Sequence, residues 1–134
     1  MDDKIRKLLH NAKTIAVVGI SAKPERAGHY VPAYAGQCGY KIIPINPTLD
    51  EVLGEKAYPS LTAYGKPVDI VNVFRRSEAV PPIAEEAAAV GAGALWLQEG
   101  ITSQAARATA EKAGMTYIED TCLKATLMML GGRP

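Results

Sequence analysis

The chain has 134 residues, with 15 Lys and Arg against 14 Asp and Glu and a net charge of +1. That length predicts a single domain over residues 1–134 with no room for a separate catalytic domain, and the balanced charge excludes a global field that would gather nucleic acid or an anionic membrane. With 48% apolar and 22% charged residues the composition is that of a compact globule, so any affinity for phosphate must come from a local arrangement.

Ile5, Leu8 and Leu9 share one face of a short helix over residues 3–10. Thr14 to Gly19 is a short apolar, β-branched run that reads as a strand buried on both faces. A polar loop, Ser21 to Gly28, leads into a helix over Tyr30 to Gln37, with Pro32 expected in its first turn. Tyr40 to Ile45 reads as the second strand, ended by Asn46-Pro47. Residues 48–67 read as irregular, broken by Gly54, Pro59, Gly65 and Pro67. Val68 to Phe74 is the third strand, and Ser77 is the expected cap of a helix that runs through Pro81 and Pro82 to Val90. Ala94 to Leu97 is the fourth strand. Thr102 or Ser103 caps a helix over Gln104 to Ala113, Met115 to Ile118 is the fifth strand, and Thr121 to Leu130 is the last helix.

Strands alternating with helices mean βαβ crossovers. The fold expected is α/β: one doubly wound, mainly parallel, five-stranded Rossmann-like sheet with helices on both faces and strand order 3-2-1-4-5. The competing order is the flavodoxin-like one. In either, ligands sit beyond the carboxyl ends of the strands, here placed between strands one and four. The first loop, Gly19-Ile20-Ser21-Ala22-Lys23-Pro24-Glu25-Arg26, occupies that position. A helix start favours an anion, Ser21 adds a hydroxyl, and Lys23 and Arg26 add charge. The plainer alternative is a tight turn at Gly19 with two solvated cations. The loop is not GxGxxG, since Ser21 stands at the second glycine position. Strand two ends in Ile45-Asn46-Pro47, with no carboxylate for a ribose 2′-hydroxyl, which lowers the case for NAD; nor is there a cation for NADP.

TIAVVGISAKPERAG, YKIIPINP, YPSL, VDIVNVFRRSEAVP, ALWLQEGI and Asp120-Thr121-Cys122 resemble the small stand-alone CoA-binding proteins, which are similar to the N-terminal domain of the succinyl-CoA synthetase alpha subunit. The resemblance runs from about Thr14 to Lys124. It implies that Gly19, Ser21, Ala22, Lys23, Pro24 and Arg26 wrap the phosphates of coenzyme A or an acyl-CoA. It implies further that Asn46, Pro47 and Thr48 flank the adenosine end, and that Val73, Phe74 and Arg75 line the adenine or the pantetheine path. Arg75 and Arg76 join Lys23 and Arg26 on one sheet edge, or else are an exposed pair that starts a helix. Leu123-Lys124-Ala125 departs from the family pattern, in which a carboxylate more often follows the lysine, and Glu99 stands where an apolar residue is common.

No catalytic set is legible. His10 and His29 lack the context of the phosphorylated histidine of succinyl-CoA synthetase, which lies in a second domain, and no Ser-His-Asp or Cys-His set is present. Cys38 and Cys122 make no disulfide framework, and no metal-ligand spacing occurs. Cys122 reads as a structural thiol or, beside Lys124, an activated one. Trp96 reads as core. There is no signal-peptide h-region and no membrane-span-length apolar run, so the expected location is the cytoplasm. The function expected is non-covalent binding of coenzyme A or an acyl-CoA, without nucleic acid or membrane and with any protein partner unspecified. The alternatives are an NAD(P)-binding sensor, and a CoA-binding subunit of a larger acyl-CoA-transforming enzyme.

Overall fold

A computed structural model describes residues 2–134. Helix α1 (Asp3–Asn11) is capped by Asp2, whose carboxylate accepts from Lys4 N–H at 2.8 Å. It leads into β1 (Thr14–Val18), then α2 (Ala27–Gln37) and β2 (Lys41–Ile45). A hairpin, β3 (Glu51–Val52) and β4 (Glu55–Lys56), and a short helix α3 (Leu61–Tyr64) precede β5 (Ile70–Val73). After α4 (Val80–Val90) come β6 (Ala94–Leu97), α5 (Gln104–Lys112), β7 (Thr116–Ile118) and α6 (Leu123–Met129).

The five long strands pair in parallel throughout, in the order β2-β1-β5-β6-β7. Counted among themselves they run 2-1-3-4-5, the flavodoxin-like order, which corrects the expected 3-2-1-4-5 within the same α/β Rossmann-like class. The reason lies in Pro44. A proline has no N–H for the ladder and is confined to edge strands. Lys41 N–H donates toward β1, to Lys13, while Asn46 N–H donates outward, to Tyr58. Pro44 has the parity of Asn46, so its missing donor faces outward. The order 3-2-1-4-5 would have needed that donor, because it buries β2 between two strands. Tyr58 partly covers the edge, its N–H donating to Pro44 O at 3.0 Å.

The stretch over residues 48–67 is more ordered than its breakers suggest. Leu53 and Gly54, at φ 56° and 75°, turn the hairpin, and Ser60 caps α3 by accepting from Ala63 N–H. Ser77 does not cap α4; a 3-10 turn, Ser77–Ala79, intervenes, and the Ser77 hydroxyl accepts from Thr102 N–H. Ser103 caps α5 as expected.

Helices α1, α2 and α6 pack on one face of the sheet, through Leu9, Val31, Ala35, Leu123 and Leu127. Helices α3, α4 and α5 pack on the other, through Leu61, Ile83, Ala87 and Ala110. Trp96 is fully buried in the first layer, its indole N–H donating to Thr121 O. At the amino edge, the Asp69 carboxylate accepts from Lys13 N–H (2.7 Å), Thr14 N–H (3.0 Å) and the Thr14 hydroxyl (3.2 Å), tying the start of β1 to the chain entering β5. Burial alone would raise its pKa, but these bonds and the Lys13 charge together hold it below the ordinary carboxylate value.

Candidate functional site

Because β5 lies beside β1, the sheet's switch point is between these two strands rather than between strands one and four. Helix α2 leaves β1 for one face and α4 leaves β5 for the other. The two loops at the carboxyl edge therefore touch. Gly19 stands at φ +89°, and a Cβ there would come within 2.8 Å of Phe74 O. Only glycine allows this approach.

Helix α2 begins at Ala27, three residues earlier than expected, so Pro32 lies in its second turn rather than its first. The proline lacks the N–H that would reach Gly28 O, four residues back. That carbonyl instead accepts from Ser21 N–H at 3.0 Å, which clips the first loop onto the helix. His29 adds a second clip, its Nδ1 bonding Ser21 O at 2.8 Å, so its place is in the loop scaffold. Gly28 packs against the loop as well: a Cβ there would lie 3.1 Å from Gly19 O. It supplies a small residue at the helix start, where a side chain would crowd the loop. The N–H groups of Ala27 and Gly28 have no acceptor among the described residues, so the helix start presents two donors.

Asn46 bridges two loops. Its Nδ2 donates to Ile20 O at 2.7 Å, and its Oδ1 accepts from the Thr48 N–H and hydroxyl, both at 2.8 Å. Ser21 Oγ accepts from Lys23 N–H at 3.0 Å.

Three adjoining cavities follow the edge. The first, about 640 Å³, lies against the α2 start and is lined by Gly19, Ser21, Ala22, Lys23, Arg26, Asn46, Thr48 and Phe74 among others. It holds two cations and no carboxylate. The second, about 560 Å³, opens between the start of α2 and the loops that follow β5 and β6, and is lined by Tyr30, Phe74, Arg75, Arg76, Ile101 and Cys122 among others. The third, about 420 Å³, lies on the α4 side and includes Asn46, Pro47, Thr48, Arg75 and Glu86. The first two share Phe74, the first and third share Asn46, and the second and third share Arg75.

Ten of the twelve sequence-derived binding residues thus line these three adjoining cavities, which together form the crevice along the carboxyl edge. Pro24 and Val73 line none of the three cavities, and Val73 is wholly buried in the core. Arg76 is exposed and faces Glu78 at 3.8 Å, a pairing worth little in water. Sequence reasoning missed Ala27, Tyr30, Ser60 and Glu86, which reach the crevice only through helix packing. Cys122 is half-buried on the second cavity, while Lys124 Nζ sits over the Tyr30 and Tyr34 rings, 5.1 and 5.7 Å from their centroids. Among the described residues no His, Cys, Asp and Glu side chains gather as a metal site, and no helix is long and apolar enough to cross a membrane.

Residues 13–128 match the family model described as the CoA binding domain. The chain belongs to the CoA binding domain family. A curated member-like relative, the uncharacterized protein YneT of Bacillus subtilis, is 46% identical over 121 residues, covering 90% of each chain. A hypothetical protein from Pyrococcus horikoshii has the same fold, with a TM-score of 0.93 and 33% identity over 98% of this chain and 93% of that one. An ADP-forming acetate–CoA ligase of Methanocaldococcus jannaschii is 28% identical over 72% of this chain, which spans 14% of the ligase's length. This CoA binding domain is therefore homologous to one part of a much larger enzyme.

Proposed function

We propose that the chain binds coenzyme A or an acyl-CoA non-covalently along the crevice and carries out no chemistry of its own. The observation that carries this reading is the sorting of charge among the cavities. The first has Lys23, Arg26 and the two open N–H groups of α2, with no carboxylate, and suits a pyrophosphate. The second sets Tyr30, Val31 and Ile101 beside a mixed rim of Arg75, Arg76, Glu78 and Glu99, and its apolar part suits the pantetheine arm. The third has an apolar floor of Ile45, Leu61 and Ile83 and suits the adenosine end. Coenzyme A carries these three parts in that spatial sense, with the pyrophosphate in the middle. A dinucleotide fits less well, because both polar ends of Asn46 are already bonded within the protein, so the end of β2 offers no acceptor of the kind that holds a ribose 2′-hydroxyl.

Calorimetric titration with coenzyme A, acetyl-CoA, dephospho-CoA, NAD and NADP tests the reading. Saturable heat with coenzyme A is expected. Saturation by NAD, with no heat from coenzyme A at millimolar concentration, overturns it. Arg26→Ala is expected to weaken coenzyme A by about 1.5–3 kcal/mol, the range for a hydrogen bond to a charged group. An unchanged affinity removes Arg26 from the phosphate contact.

A further inference from the structure

Glu86 is the carboxylate of the third cavity, whose other linings are apolar, hydroxyl, amide or Arg75. It is partly exposed, and its orientation is set by two hydrogen bonds. Its Oε1 accepts from Thr62 N–H at 3.1 Å and from the Thr62 hydroxyl at 2.9 Å, which fixes the carboxylate between α3 and α4. Its Oε2 has no donor among the described residues. Around it, Pro47 and Pro59 offer flat apolar surfaces and Arg75 a planar cation, over a floor of Ile45, Leu61 and Ile83. A phosphate set against Glu86 itself is repelled, while a flat, neutral heterocycle is not, and Arg75 remains in the same cavity for an anion. An ionised carboxylate is an acceptor only, so the ligand must bring the donor.

We infer that Glu86 is a specificity-determining residue that accepts a hydrogen bond from the 6-amino group of an adenine ring held in the third cavity. The inference rests on the coenzyme A reading given above and adds to it the group that reads the base. A site built to pair a polar group discriminates strongly against a ligand that lacks it, because its own group is left unpaired.

The test is a calorimetric cycle of two proteins and two ligands: the wild type and Glu86→Gln, each titrated with coenzyme A and with the analogue whose adenine is replaced by unsubstituted purine. The wild type is expected to prefer coenzyme A by about 10- to 100-fold. In Glu86→Gln the carboxamide oxygen can keep the Thr62 bonds while its NH₂ faces the ligand, so the preference collapses to within about threefold, mainly through weaker coenzyme A binding. Equal wild-type affinity for the two ligands overturns the role of Glu86 and leaves coenzyme A binding intact. A preference that survives in Glu86→Gln does the same. No heat from coenzyme A with the wild type overturns the binding reading itself, and this inference with it. The wild-type comparison needs no variant, so a folding defect in Glu86→Gln does not shield the claim.

Discussion

Single side chains at the two ends of β1 do different work. At the carboxyl end Gly19 is set by contact: its missing Cβ makes room for the Phe74 carbonyl. At the amino end Asp69 is set by charge, held ionised by backbone donors from Lys13 and Thr14. Its pKa is lowered on folding, so the unfolded chain binds the extra proton in the acid range. The stabilisation is therefore complete above the unfolded value near ~3.9 and is lost as pH falls through the native one. Asp69→Asn is expected to lower the urea midpoint at pH 7, with the gap to the wild type narrowing as the pH falls below the unfolded carboxylate value. A gap that stays constant from pH 7 down through the acid range assigns the loss to geometry instead of charge. The candidate binding residues were legible singly in the first loop, because a strand end, Ser21 and two cations are local features. Glu86 was not, since its meaning depends on Thr62 and on a cavity walled by β2, α3 and α4.

At the scale of elements, α2 shows how an apparent defect positions a ligand loop. Pro32 frees Gly28 O, and Ser21 N–H takes it. Pro32→Ala restores a helical N–H that competes for that carbonyl. The expected result is faster hydrogen exchange at the Ser21 amide together with weaker coenzyme A binding. Unchanged exchange at Ser21 places the loop's order elsewhere, in the His29 and Asn46 contacts. Helix α6 depends on a buried pair. Gln98 Oε1 accepts from Leu123 N–H at 2.9 Å and lies 3.4 Å from Asn72 Nδ2. The strands and most helices were legible from apolar runs and glycine stops. The early start of α2 was not, because Pro32 reads locally as a first-turn residue. The hairpin was hidden too, since Leu53 is a poor sequence signal for a turn that demands positive φ.

For the whole molecule, the crevice links the two halves of the sheet, so a ligand that spans it should stabilise the fold by mass action. Coenzyme A at about 100 times its Kd adds ~2.7 kcal/mol, a rise of roughly 10 °C in Tm for a chain of this size. A Tm independent of coenzyme A concentration contradicts binding to the native state. The sequence by itself determined the α/β class, the five long strands and the loop at the end of β1, because each is written in local periodicity and punctuation. It also held a cue to the strand order in Pro44, whose missing donor belongs on an edge. Only the tertiary structure decided that β5 sits against β1, that Arg75 therefore meets the loop at Gly19, and that three cavities lie side by side along one edge. Those facts depend on contacts between residues far apart in the chain, and local patterns of hydrophobicity carry no record of which strand a crossover lands beside.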